Sequence, residues 1–97
     1  MPMYVGLYKL TEKGAGDIKN APERIKGLVK AWEAMGGTTN IVVATLGAYD
    51  YITVGEAPSD EVAAMFAAAL ASQGYVTTET MRAFKPEEFA GILAKLP

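Results

Sequence analysis

Apolar and polar positions along this chain repeat with two different periods, and each period predicts a kind of element. From Met3 to Leu10 the β-formers Tyr4, Val5, Leu7 and Tyr8 keep both alternating faces apolar as far as Lys9, which predicts an interior strand. Thr11 to Asn20 is polar and glycine-containing, with Ile18 its one large apolar residue, and reads as a loop or broken helical turn. Asn20 followed by Glu23 has the form of a capping box, and Pro22 suits a first turn, so a helix is expected from there. Ile25, Leu28, Val29, Trp32 and Met35 form its apolar stripe, Arg24, Lys26, Lys30 and Glu33 lie off it, and Gly36-Gly37 ends it.

Two further apolar runs, Thr38 to Leu46 and Asp50 to Ala57, are separated only by Gly47-Ala48-Tyr49 and predict a hairpin. Ser59 then caps a second long helix with Asp60 and Glu61 in its first turn. Val62, Met65, Phe66, Ala69 and Leu70 make its stripe, and Gly74 ends it. Tyr75 to Phe84 is the most polar of the four strands, through Glu79 and Arg82, and belongs beside the first strand or at an edge. Pro86-Glu87-Glu88 opens a short last helix with Phe89, Ile92, Leu93 and Leu96 on one side, suited to packing across the sheet or onto a partner chain.

The order β-α-β-β-α-β-α is the split βαβ, ferredoxin-like arrangement with an added terminal helix: one α+β domain over residues 1–97, with a four-stranded antiparallel sheet. Its two long helices cover one sheet face. The other face also carries Val, Tyr and Leu, and a chain of 97 residues builds only a modest core, so the expected cover is a second copy, face to face, in a barrel-like homodimer or higher homo-oligomer.

Composition narrows the chemistry. Half the residues are hydrophobic (51%), and nine basic against eleven acidic side chains leave a net charge of −2, which gives nucleic acid or an anionic membrane no electrostatic hold. There is no Cys and no His, so thiolate nucleophiles, His-based triads and zinc clusters are excluded, and no metal or cofactor is implied. No apolar segment approaches a membrane span and the start lacks a leader-like pattern, so a cytoplasmic location is expected.

Candidate site residues therefore come from carboxylates, tyrosines and arginine. Tyr49 and Asp50 follow Gly47 at a strand end, where they either serve turn chemistry or line a ligand pocket. Glu56 and Glu79 sit on otherwise apolar or Thr-rich strands; buried, they would act as general acid or base, and paired, they are structural. Tyr4, Tyr8, Tyr51 and Tyr75 fall on strands, so some of their rings should share a cleft, with Tyr8, Tyr49, Tyr51 and Arg82 as candidate ligand contacts. Trp32 in its stripe reads as core. Gly14-Ala15-Gly16-Asp17 lacks the ending of a phosphate loop and suits a lid, and Lys9, Lys13 and Lys19 around it form a solvated basic edge able to attract a small anion.

These segments, in order, resemble the GYD family. The likeness spans nearly the whole chain: Tyr4 to Leu10, Thr11-Glu12 with Gly14, the Gly47, Tyr49, Asp50 turn, Glu56-Ala57-Pro58, and Thr78-Glu79-Thr80 before Arg82-Ala83-Phe84. The resemblance implies a small ferredoxin-like protein of the dimeric α/β-barrel kind and brings no catalytic motif to transfer. Two functions are then expected: a homo-oligomeric small-molecule-binding or interaction module, or a cofactor-independent enzyme, monooxygenase- or isomerase-like, acting on a small, possibly aromatic substrate through Tyr49, Asp50, Glu56 or Glu79. The enzyme needs at least two of those groups around one enclosed void. A regulatory module with an effector between chains ranks third, since no DNA-binding or catalytic domain accompanies this one.

Overall fold

The computed structural model describes residues 1–97. Its elements are β1 (Met3–Leu10), α1 (Glu12–Gly16), α2 (Ala21–Ala34), β2 (Thr38–Ala44), β3 (Tyr51–Glu56), α3 (Asp60–Gln73), β4 (Val76–Ala83) and α4 (Pro86–Leu93). The sheet order is β2-β3-β1-β4 and every neighbouring pair is antiparallel. This is the α+β, ferredoxin-like arrangement the element order predicts, with β1 and β3 central and the more polar β4 at an edge beside β1.

Register divides the sheet into two faces, because successive side chains alternate. Tyr8 pairs with Tyr51 and Thr78, and Gly6 with Thr53 and Thr80, on the face under α2 and α3. Val5 pairs with Val54 and Met81, and Leu7 with Ile52 and Glu79, on the opposite face. Ile41 and Val43 of β2 continue that second face after a register shift between Thr39 and Ile41.

The closely packed core is small. Tyr4, Ala57 and Ala63 form its buried centre, with Trp32 and Val62 against them. Trp32 meets Tyr4 edge-on at 6.3 Å and Phe66 at 5.0 Å, and its indole N–H donates to the Thr38 carbonyl at 2.9 Å, so its polar atom is satisfied.

Several local features depart from the sequence pattern. Residues 11–20 contain the single-turn helix α1 and a 3₁₀ turn at Ile18–Asn20. Thr11 organises the segment: its hydroxyl accepts from the Gly14 N–H at 3.1 Å and donates to the Gly74 carbonyl at 2.6 Å. The capping box at Asn20 does not form. The 3₁₀ turn holds Asn20 at φ −92° and ψ −1°, away from the extended cap conformation, and its amide instead donates to Asp17 Oδ1 at 2.7 Å. Ser59 does cap α3, accepting from the Val62 N–H at 3.3 Å, and Gly74 closes it in the left-handed region at φ +79°. The hairpin strands are shorter than their apolar runs, and Tyr75 precedes β4.

Two apolar surfaces remain open. On the second sheet face Ile41, Val43 and Met81 are 46%, 38% and 43% exposed. The α4 segment does not cover them: every residue from 84 to 97 is exposed, including the stripe of Phe89, Ile92, Leu93 and Leu96. The molecule is accordingly elongated, 52 Å in its longest dimension, with a radius of gyration of 14.7 Å against about 12.5 Å for a compact domain of this length. No helix is long and apolar enough to cross a membrane.

Candidate functional site

Between the sheet and its two long helices lies an open cleft of about 100 Å³. Its sheet side is made by Tyr4, Tyr8, Tyr51 and Thr53, and its roof by Ile25, Leu28 and Val29 of α2 with Phe66 and Leu70 of α3. Gly6 and Gly55 of the sheet and small Ala21 and Ala63 of the helices also line it. A Cβ at Gly6 would approach Thr53 Oγ1 to 2.7 Å and collide with the Tyr8 hydroxyl.

All four strand-region tyrosines, Tyr4, Tyr8, Tyr51 and Tyr75, line this cleft. Tyr8 hydrogen-bonds Thr53 Oγ1 at 3.1 Å, and burial raises its phenol pKa above 10.0, the Thr53 hydrogen bond opposing. Tyr4 donates to Asp60 Oδ1 at 2.5 Å. Burial is the larger cause of its raised pKa, the Asp60 carboxylate the next, and the more distant Arg82 acts the other way.

The remaining sequence candidates lie elsewhere. Tyr49 donates to the Glu79 carboxylate, 3.1 Å from each oxygen, and that hydrogen bond, followed by desolvation and the carboxylate's charge, holds its pKa up. The pair sits with Leu7, Lys9, Thr77 and Thr78 in a shallow polar hollow on the second sheet face, with Lys9 Nζ 5.3 Å from the Tyr49 ring. Asp50 is committed to the backbone: Oδ2 accepts from the Leu10 N–H at 2.8 Å, its N–H donates to the Tyr8 carbonyl at 2.8 Å, and its carbonyl accepts from Thr45 N–H at 2.9 Å. Gly47, at φ +110°, makes the turn that delivers it. Glu56 accepts from the Thr38 hydroxyl at 3.2 Å and lies 3.9 Å from Lys85 Nζ. Arg82 is exposed, its guanidinium 4.5 Å from the Phe84 ring, and donates to the Ala83 carbonyl.

Tyr8 and Tyr51 are therefore brought together in the cleft, whereas Tyr49 with Glu79 occupies the other sheet face, and Asp50, Glu56 and Arg82 are not among the cleft residues. No two of the four acid–base candidates meet around an enclosed void, as the enzyme reading requires.

A residue the pattern placed off the apolar stripe does line the cleft. Arg24 donates through Nη1 to Asp17 Oδ2 at 2.6 Å and to the Asp17 carbonyl at 3.1 Å, and its guanidinium stacks 4.4 Å from the Tyr75 ring. The available signal was its position four residues before Leu28, which puts both on one flank of the helix.

Comparison with known proteins agrees with the resemblance carried in part by the Gly47, Tyr49, Asp50 turn. No solved structure matches the chain. It is 35% identical over 97 residues, covering 99% of both chains, to a Thermus thermophilus protein named "Glutamine synthetase and cystathionine beta-lyase binding protein". Residues 4–93 match the GYD domain, and the chain belongs to the GYD domain family.

Proposed function

We propose that this chain is a homo-oligomeric interaction module: two copies join through their open sheet faces, the assembly binds other proteins, and the helix–sheet cleft takes a small molecule. The observation that carries the assembly is the second sheet face. It presents Val5, Leu7, Ile41, Val43, Ile52, Val54 and Met81 with no element of the same chain above them. Contiguous apolar surface on this scale favours a partner, and a sheet face is self-complementary under two-fold symmetry. The exposed stripe of α4 supports the same reading, because an eight-residue helix is not stable in water without packing. The relative's name supports protein binding as the activity and gives glutamine synthetase and cystathionine β-lyase as the first partners to try.

Sedimentation velocity over a wide concentration range tests the assembly, with dimers or larger species expected for the wild type and monomers for Val43→Asp combined with Met81→Asp. A wild type that stays monomeric throughout overturns the reading. The two named enzymes, purified and titrated with the chain by surface plasmon resonance, test the partner assignment, and no binding to either removes it.

A further inference from the structure

We infer that the ligand of the cleft is a short aliphatic monocarboxylic acid, held at its carboxylate by the free arm of Arg24; this rests on the cleft being a small-molecule site and adds the ligand's chemistry. Among the side chains that line the cleft, Arg24 alone carries a formal charge. Its guanidinium has two Nη arms, and Asp17 engages only one. Nη1 makes both contacts to Asp17, while Nη2 is covered by protein atoms and has no hydrogen-bond partner, so a carboxylate reaches it once the side chain turns toward the cleft. A buried guanidinium N–H left unpaired is uncommon and costly, and a carboxylate is the group whose planar geometry matches it.

The surrounding charge favours an anion. Lys13 Nζ lies 4.3 Å from the centre of the same Tyr75 ring on which Arg24 stacks, so two cations meet there, and the carboxylate paired with either of them is Asp17. One surplus positive charge suits a monoanion. A phosphate dianion would bring a second charge into a cleft whose other walls are hydrocarbon and neutral hydroxyl, at a larger desolvation cost. Beyond the guanidinium, Ile25, Leu28, Val29 and Leu70 offer only hydrocarbon, which calls for an apolar body. The cleft is open, and its volume of about 100 Å³ limits the apolar body to a short chain.

Hexanoate and its neutral isostere hexanamide are the probes, titrated into the full chain and followed by emission of Trp32, the one tryptophan, which itself lines the cleft. Hexanoate is expected to bind roughly tenfold or more tightly than hexanamide, the advantage of a charge-assisted hydrogen bond. Arg24→Gln should erase that difference and leave hexanamide unchanged. Because Arg24 also holds Asp17, Asp17→Asn provides a second route: with the competing carboxylate neutralised, hexanoate should bind more tightly and hexanamide as before. If the two probes bind equally and neither variant separates them, the carboxylate assignment is overturned while the cleft stands as a ligand site. If neither probe binds the folded wild type, the cleft reading falls and takes this inference with it.

Discussion

Asp50 shows how a residue that looks chemical can be structural. Its carboxylate holds the Leu10 N–H at the end of β1, and its own N–H returns to the Tyr8 carbonyl, so the side chain locks the β2–β3 turn to the central strand. Asp50→Ala should destabilise the fold by about 1–3 kcal/mol, the cost of orphaning a part-buried donor, whereas Asp50→Asn, which keeps an accepting oxygen, should fall well below that in urea denaturation. Gly14 is a steric case: a Cβ there would run into the Tyr75 carbonyl, and the backbone cannot yield as a side chain could. Gly14→Ala is expected to cost roughly 1–3 kcal/mol and to displace Tyr75 at the cleft mouth, seen as a lowered thermal midpoint with weakened ligand binding. The tyrosines give the pH dependence. Tyr4, Tyr8 and Tyr49 hold their protons more tightly folded than unfolded, so above pH 10.0 the unfolded chain loses protons first and stability falls as pH rises. Their contribution is complete below that pH, and Tyr8→Phe should flatten the alkaline decline in chemical denaturation measured across it.

The helices differ in what holds them. Ser59 supplies α3 with a side-chain cap, and Ser59→Ala should cost about 1 kcal/mol in thermal unfolding. At α2 the sequence offers a similar signal in Asn20 and Glu23, yet the preceding 3₁₀ turn spends Asn20 on Asp17. A cap needs extended backbone at one residue, and that depends on how the chain arrives, which local composition does not encode. In the proposed dimer the exposed α4 helix packs on the partner copy. Ile92→Asp with Leu93→Asp should leave the wild-type fold of residues 1–83 intact by circular dichroism, since those side chains are exposed, and should raise the dissociation constant of the proposed dimer by about tenfold or more. An unchanged constant would place α4 outside the assembly.

At the scale of the whole molecule, two surfaces with opposite destinies share one sheet. The face under α2 and α3 forms a cleft; the other carries exposed apolar side chains that suit a second copy. In the proposed assembly the Tyr49–Glu79 pair, lying in a hollow on that second face, leaves solvent, so acetylation of Tyr49 by N-acetylimidazole, read by peptide mass spectrometry, should fall as the protein concentration rises and stay constant in Val43→Asp with Met81→Asp. The element order and the apolar stripes of the helices were legible in the amino-acid sequence, because period-two and period-3.6 patterns distinguish strand from helix. The destination of each polar side chain was not. Tyr49 and Glu79 are thirty residues apart and meet only through the β1–β4 pairing, Asp50 reaches forty residues back to Leu10, and Arg24 is left with a bare Nη2 because Asp17 approaches it from one side. Sequence alone determined the layers and their apolar faces, which are sums over many residues; tertiary structure decided the partners of individual polar atoms, which depend on distances between segments that no local pattern carries.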